Sequence, residues 1–104
     1  MESVELLCFQ IIAEVGSARS YFIEAIHEAK KGNYKSAQEL ISKGENHFTQ
    51  GHHYHTEMIQ QEASGTSINL TLLLTHAQDQ LMSAETFKIL SNEFIDLYKK
   101  MDLG

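Results

Sequence analysis

The sequence predicts an all-α protein, an antiparallel three-helix bundle, and three observations carry that prediction. The 104 residues contain no proline and only six glycines, so little interrupts a long helix. Apolar residues recur at alternating steps of four and three along most of the chain. Only two short stretches, 31–33 and 63–67, read as connections, and short connections make neighbouring helices run antiparallel. The length fits one domain, residues 1–104.

The first helix is expected over 3–31. Ser3 is placed to cap it, because a serine oxygen accepts a free N–H of the first turn. Val4, Cys8, Ile11, Val15, Ala18, Phe22, Ala25 and Ala29 hold the four-three spacing. Leu7, Ile12, Ile23 and Ile26 widen the stripe beyond a two-helix contact. Lys30 and Lys31 followed by Gly32 form a stop, with cations in the last turn and a glycine beyond.

The second helix is expected over 34–62, with Asn33 as its N-cap. Ala37, Ile41, Gly44, Phe48, Gly51, His55 and Met58 continue the spacing. Glycine inside a helix costs ~1 kcal/mol relative to alanine. Gly44 and Gly51 therefore point either to close approach of a neighbouring helix or to a kink near Gly51. The third helix is expected over 67–101, with Leu70, Leu74, Ala77, Leu81, Ala84, Phe87, Phe94, Tyr98 and Met101 near one face and Ser91 as the exception. Helices of about 30 residues are roughly 40–50 Å long, so the bundle should be a thin rod. Such a rod buries little per residue, and its helices carry apolar residues on more than one face, so self-association is expected.

Composition excludes several functions. The net charge of −6 opposes binding to nucleic acid or to an anionic membrane surface, and suits a basic protein partner. The single cysteine, Cys8, cannot form an internal disulfide and lies in an apolar seam, which fits a packed spacer in a reducing compartment. No signal peptide is read, and no apolar run approaches the ~20 residues of a membrane span. The expectation is a cytoplasmic protein with no direct membrane insertion. No glycine-rich phosphate loop or nucleophile elbow occurs.

Two groups of residues could carry chemistry. On the third helix Leu72, His76, Asp79, Ser83 and Thr86 form a second stripe beside the core seam. His76 and Asp79 are three apart and project near one face. Their spacing leaves three readings open: a solvated structural pair, half of a metal site, or a nucleophilic or general-base histidine. The other group is His47, His52, His53 and His55, with Glu57 following. His52 and His55 are spaced to share a metal, although the hydrophobic seam runs through position 55. Tyr34, Tyr54 and Tyr98 read as seam aromatics.

The stretch Leu72-Leu73-Leu74-Thr75-His76-Ala77-Gln78-Asp79-Gln80-Leu81-Met82 resembles the active-site segment of the lactose/cellobiose-type enzyme IIA of the bacterial phosphoenolpyruvate-dependent sugar phosphotransferase system. Phe9-Gln10-Ile11-Ile12, Gly16, Ala18-Arg19, Ala25, Ala29 and Gly32 resemble that family's first helix, and Gly44, His52 and Thr56 its second. The resemblance spans essentially the whole chain. It implies a three-helix protomer that assembles into a homotrimer, with His76 as the phosphorylated residue. Gln78 would orient phosphoryl oxygens. Asp79 from three chains would hold one structural Mg²⁺ at the trimer axis. The implied partners are HPr as phosphoryl donor and enzyme IIB as acceptor, in uptake of a disaccharide of the lactose, cellobiose or chitobiose type. The chain departs from the pattern at Gln80, where many relatives carry histidine, and at His55, where glutamine is common. No arginine stands near His76 in sequence, so charge-stabilising donors must come from other helices, neighbouring subunits or the partner. The alternatives are a non-catalytic helical adaptor and a metal-binding bundle built on His47 to His55.

Overall fold

The structure, a computed structural model, describes residues 3–103. Three helices follow one another, α1 Val4–Lys30, α2 Tyr34–Ala63 and α3 Leu72–Leu103, with no strand among the described residues. The molecule is a rod of 56 × 19 × 17 Å. α1 packs along both other helices, and α2 and α3 touch least.

α1 forms as its sequence directs. Ser3 Oγ accepts the Leu6 N–H at 3.1 Å, and every expected seam residue from Cys8 to Ala29 is buried. Gly32 takes φ 86°, the left-handed conformation that ends a helix without a Cβ clash. α1 does reach the length and hydropathy of a membrane-spanning helix, contrary to the sequence expectation. Its apolar surplus has a local use, because it is the helix against which both others pack.

In α2 the residues Ala37, Ile41, Gly44, Gly51 and Met58 are buried. The two glycines mark close helix approach, not a kink. A Cβ on Gly44 would lie 2.5 Å from Phe22 Cε1, and one on Gly51 would lie 2.6 Å from Val15 Cγ1. Asn33 stands at the expected cap position but makes no side-chain cap. Its Nδ2 instead donates to Glu28 Oε2 at 3.1 Å, tying the turn back to α1.

α3 begins five residues later than the sequence suggests. Thr71 is the local reason: its Oγ1 accepts the Leu74 N–H at 3.1 Å, and its carbonyl oxygen accepts the Thr75 N–H at 3.0 Å. Residues 66–71 therefore run as irregular chain, and Leu70, expected in the seam, is 82% exposed. The lower half of the seam also differs. Ser91 and Ile95 are fully buried, whereas Phe94 and Met101 are exposed. Ser91 tolerates burial because its hydroxyl donates to the Lys88 carbonyl oxygen at 2.9 Å.

The core has two parts. One joins Leu7, Ile11, Val15, Met58, Leu74 and Leu81, and the other joins Phe22, Ala25, Ala37, Ile41 and Ile95. Tyr34 closes the far end by donating its hydroxyl to the Asp102 carboxylate.

Candidate functional site

α3 turns one face to α1 and α2 through Leu74, Ala77, Leu81 and Ala84, and its opposite face to solvent. The solvent face is unusually apolar: Leu72 is 86% and Met82 67% exposed, with Ile89, Leu90, Leu97 and Met101 continuing the stripe. His76 and Asp79 lie on this face, and both are exposed. His76 heads a shallow depression whose other walls are Leu72 and Leu73. An exposed imidazole beside apolar surface can meet a reacting group from another macromolecule while the surroundings exclude water on docking.

Asp79 makes no hydrogen bond or ion pair with another described residue. An unpartnered carboxylate on an apolar stripe is an available oxygen donor for a hard cation. One chain alone does not complete a site. Among the described residues no three His, Cys, Asp or Glu side chains converge on a point where a metal could sit.

The flanks of α3 separate the remaining candidates. Gln78 follows His76 by two residues, which places it about 200° round the helix. Its amide Nε2 lies 3.5 Å from His55 Nε2 on α2. The imidazole can accept from that amide only while its Nε2 is unprotonated. Burial, and secondarily the nearby His52, push the His55 pKa below the usual histidine value, which favours that neutral form. Gln80 lies on the other flank, towards α1, and there Arg19 Nη1 donates to Gln80 Oε1 at 2.6 Å.

The histidine cluster disperses. His47 donates from Nδ1 to Glu14 Oε2 at 2.7 Å and stacks on Tyr21 with ring centroids 5.5 Å apart. His52 leans towards Phe48, and His53 lies beside Tyr54. These positions wind round α2, so the i, i+3 spacing of His52 and His55 recruits no third ligand. Cys8 is buried, and desolvation, reinforced by Glu5, raises its thiol pKa, which disfavours the reactive thiolate.

Arg19 is the residue that sequence reasoning did not bring to the site. It is distant from His76 in sequence, and only packing of α1 on α3 carries it to the turn after His76. The available signal was the chain's only guanidinium, standing next to Ala18 of the α1 seam.

Comparison with known proteins finds similar chains and a similar fold. The family model described as "PTS system, Lactose/Cellobiose specific IIA subunit" matches residues 6–99. The lichenan-specific phosphotransferase enzyme IIA component of Bacillus subtilis is 43% identical over 100 residues, covering 96% of this chain and 91% of its own. The crystal structure of the cellobiose-specific enzyme IIA of Bacillus anthracis superposes with a TM-score of 0.93 at 43% identity, over 99% of this chain and 95% of that one. An Escherichia coli chitobiose-branch IIA, solved in solution as a complex with HPr, superposes with a TM-score of 0.82 at 26% identity, over 98% and 99% of the two chains.

Proposed function

The chain belongs to the lactose/cellobiose-specific IIA subunit family of the phosphotransferase system, and from that premise we propose how its own residues carry a phosphoryl group. It is a phosphocarrier component of a sugar phosphotransferase system. His76 accepts phosphoryl from phospho-HPr and passes it to the cognate enzyme IIB, serving uptake of a disaccharide of the lactose, cellobiose or chitobiose type. The protein works in the cytoplasm.

The observation that carries this reading is the exposed His76 imidazole at the head of the depression walled by Leu72 and Leu73. In the accepting step a ring nitrogen of His76 attacks phosphorus in line. The bond from phosphorus to the donor breaks as the new P–N bond forms. In the delivering step the same P–N bond breaks as the acceptor on enzyme IIB attacks. The protein's task is positioning and charge stabilisation, and the apolar rim keeps water from competing. HPr as donor is supported by the E. coli relative solved in complex with HPr.

The working form is a homotrimer. The apolar solvent face of α3, with Leu72, Met82, Ile89 and Leu97, supports it, because a monomer would leave that whole stripe wet. Three α3 helices packed about a threefold axis bring three Asp79 carboxylates together. These carboxylates would hold one Mg²⁺, which when bound supplies neutralisation of their mutual repulsion and takes no part in transfer. Gln78, steadied by His55, orients phosphoryl oxygens.

The test is phosphorylation with phosphoenolpyruvate, enzyme I and HPr. The wild type should take up one acid-labile phosphate per chain, and His76→Gln should take up none while keeping its helicity. Full labelling of His76→Gln would remove the assignment.

A further inference from the structure

The contact between Arg19 and Gln80 joins residues 61 apart and has no part in the reading above. Arg19 is half-buried on α1 and has no carboxylate partner among the described residues. Holding a long cationic side chain partly out of water costs rotamer freedom and hydration. A neutral amide oxygen offsets that less than a carboxylate would. As a helix tie alone, an apolar pair would serve as well.

The chemistry of the contact fixes the orientation of the amide. A guanidinium only donates, so the Gln80 atom facing it must be the carbonyl oxygen, and the NH₂ end is left free. Gln80 follows His76 by four residues, so both side chains leave α3 on one face with Cβ atoms about 5–6 Å apart. We infer that Arg19 is a positioning residue for the phosphoryl group on His76: it grips the Gln80 oxygen, so that the Gln80 amide presents its N–H donors to the phosphoryl oxygens, with an unpaired positive charge behind them. The inference rests on the phosphocarrier reading. Its ligand chemistry is a phosphoryl group bonded to an imidazole nitrogen. Donors fixed in advance beside developing negative charge accelerate transfer, because they need no reorganisation at the moment of reaction. An amide also stays neutral at every pH, whereas a histidine at the same position would gain charge as pH falls.

Gln80→Glu separates this role from a structural one. Glutamate keeps an acceptor for Arg19, and a stronger one, but replaces the donor end with negative charge. The full-length variant should melt at or above the wild-type temperature. Its kcat for transfer from phospho-HPr should fall about 10–100-fold, with KM nearly unchanged. Arg19→Gln should lower kcat in the same direction, and Arg19→Lys should restore part of it. Gln80→His should retain transfer while changing the shape of its pH profile between 5 and 8. In the phosphorylated protein, the ³¹P resonance of phospho-His76 should move in Gln80→Leu. Wild-type kcat in Gln80→Glu, or a ³¹P resonance unmoved by Gln80→Leu, would overturn the inference even if Arg19→Gln failed to fold. Failure of the underlying assignment has a different signature, full phosphate uptake by His76→Gln.

Discussion

The site depends on single groups whose protonation and burial can be tested apart from transfer. The lowered pKa of His55 means that the unfolded chain, with an ordinary histidine pKa of 6.5, takes its proton first as pH falls. Stability therefore drops as pH passes below 6.5 and levels off once the folded His55 is itself protonated. Thermal melts of wild type and His55→Gln between pH 7.5 and 4.5 should diverge in that window, with the variant losing less. Parallel curves would contradict a desolvated His55. Cys8 is packed and kept as a thiol, so Cys8→Ala should cost about 1–2 kcal/mol through lost packing and leave phosphoryl transfer near normal. Urea denaturation and the HPr-dependent assay check the two halves of that expectation.

Between helices, α1 and α2 come together where α2 lacks side chains. Alanine in place of Gly51 would gain about 1 kcal/mol of helix propensity. Its Cβ, however, would press on Val15 Cγ1, and that residue is itself buried. At Gly44 the obstacle is the fully buried ring of Phe22, whose Cε1 lies 2.5 Å from the Cβ position. Gly51→Ala and Gly44→Ala should each be destabilised by about 1–3 kcal/mol net of that gain, read as lowered urea midpoints with unchanged slope. A stabilised Gly51→Ala would mean the helices separate more easily than the geometry implies.

The rod as a whole leaves one helix face uncovered. Leu72, Met82, Ile89, Leu90 and Leu97 lie on α3 where α1 and α2 do not reach, and Asp79 sits among them. Sedimentation equilibrium at micromolar concentration should give a trimer. Removing divalent cations with a chelator should lower its melting temperature. Asp79→Leu should keep the trimer and abolish that chelator effect, since replacing clustered buried carboxylates with packed apolar volume is often neutral or favourable. A monomer, or a chelator effect that survives in Asp79→Leu, would contradict three carboxylates at an axis.

The sequence by itself determined the helix count, their antiparallel course, the seam of α1 and the family motif around His76. These follow from local periodicity, capping and composition, which act within a few turns of chain. The two glycines of α2 were legible only as a choice between kink and close contact, and Phe22 and Val15 opposite them settle it. The start of α3 depended on Thr71, whose hydroxyl accepts the Leu74 N–H, a local hydrogen bond that apolar spacing does not register. The burial of Ser91 and exposure of Phe94 depended on where α3 crosses α1, because a helix with apolar residues on several faces does not specify which face goes inward. The meeting of Arg19 with Gln80 and of His55 with Gln78 was decided by tertiary packing alone. Those pairs join different helices at distant sequence positions, and only the docking of whole helices brings their side chains within hydrogen-bonding reach.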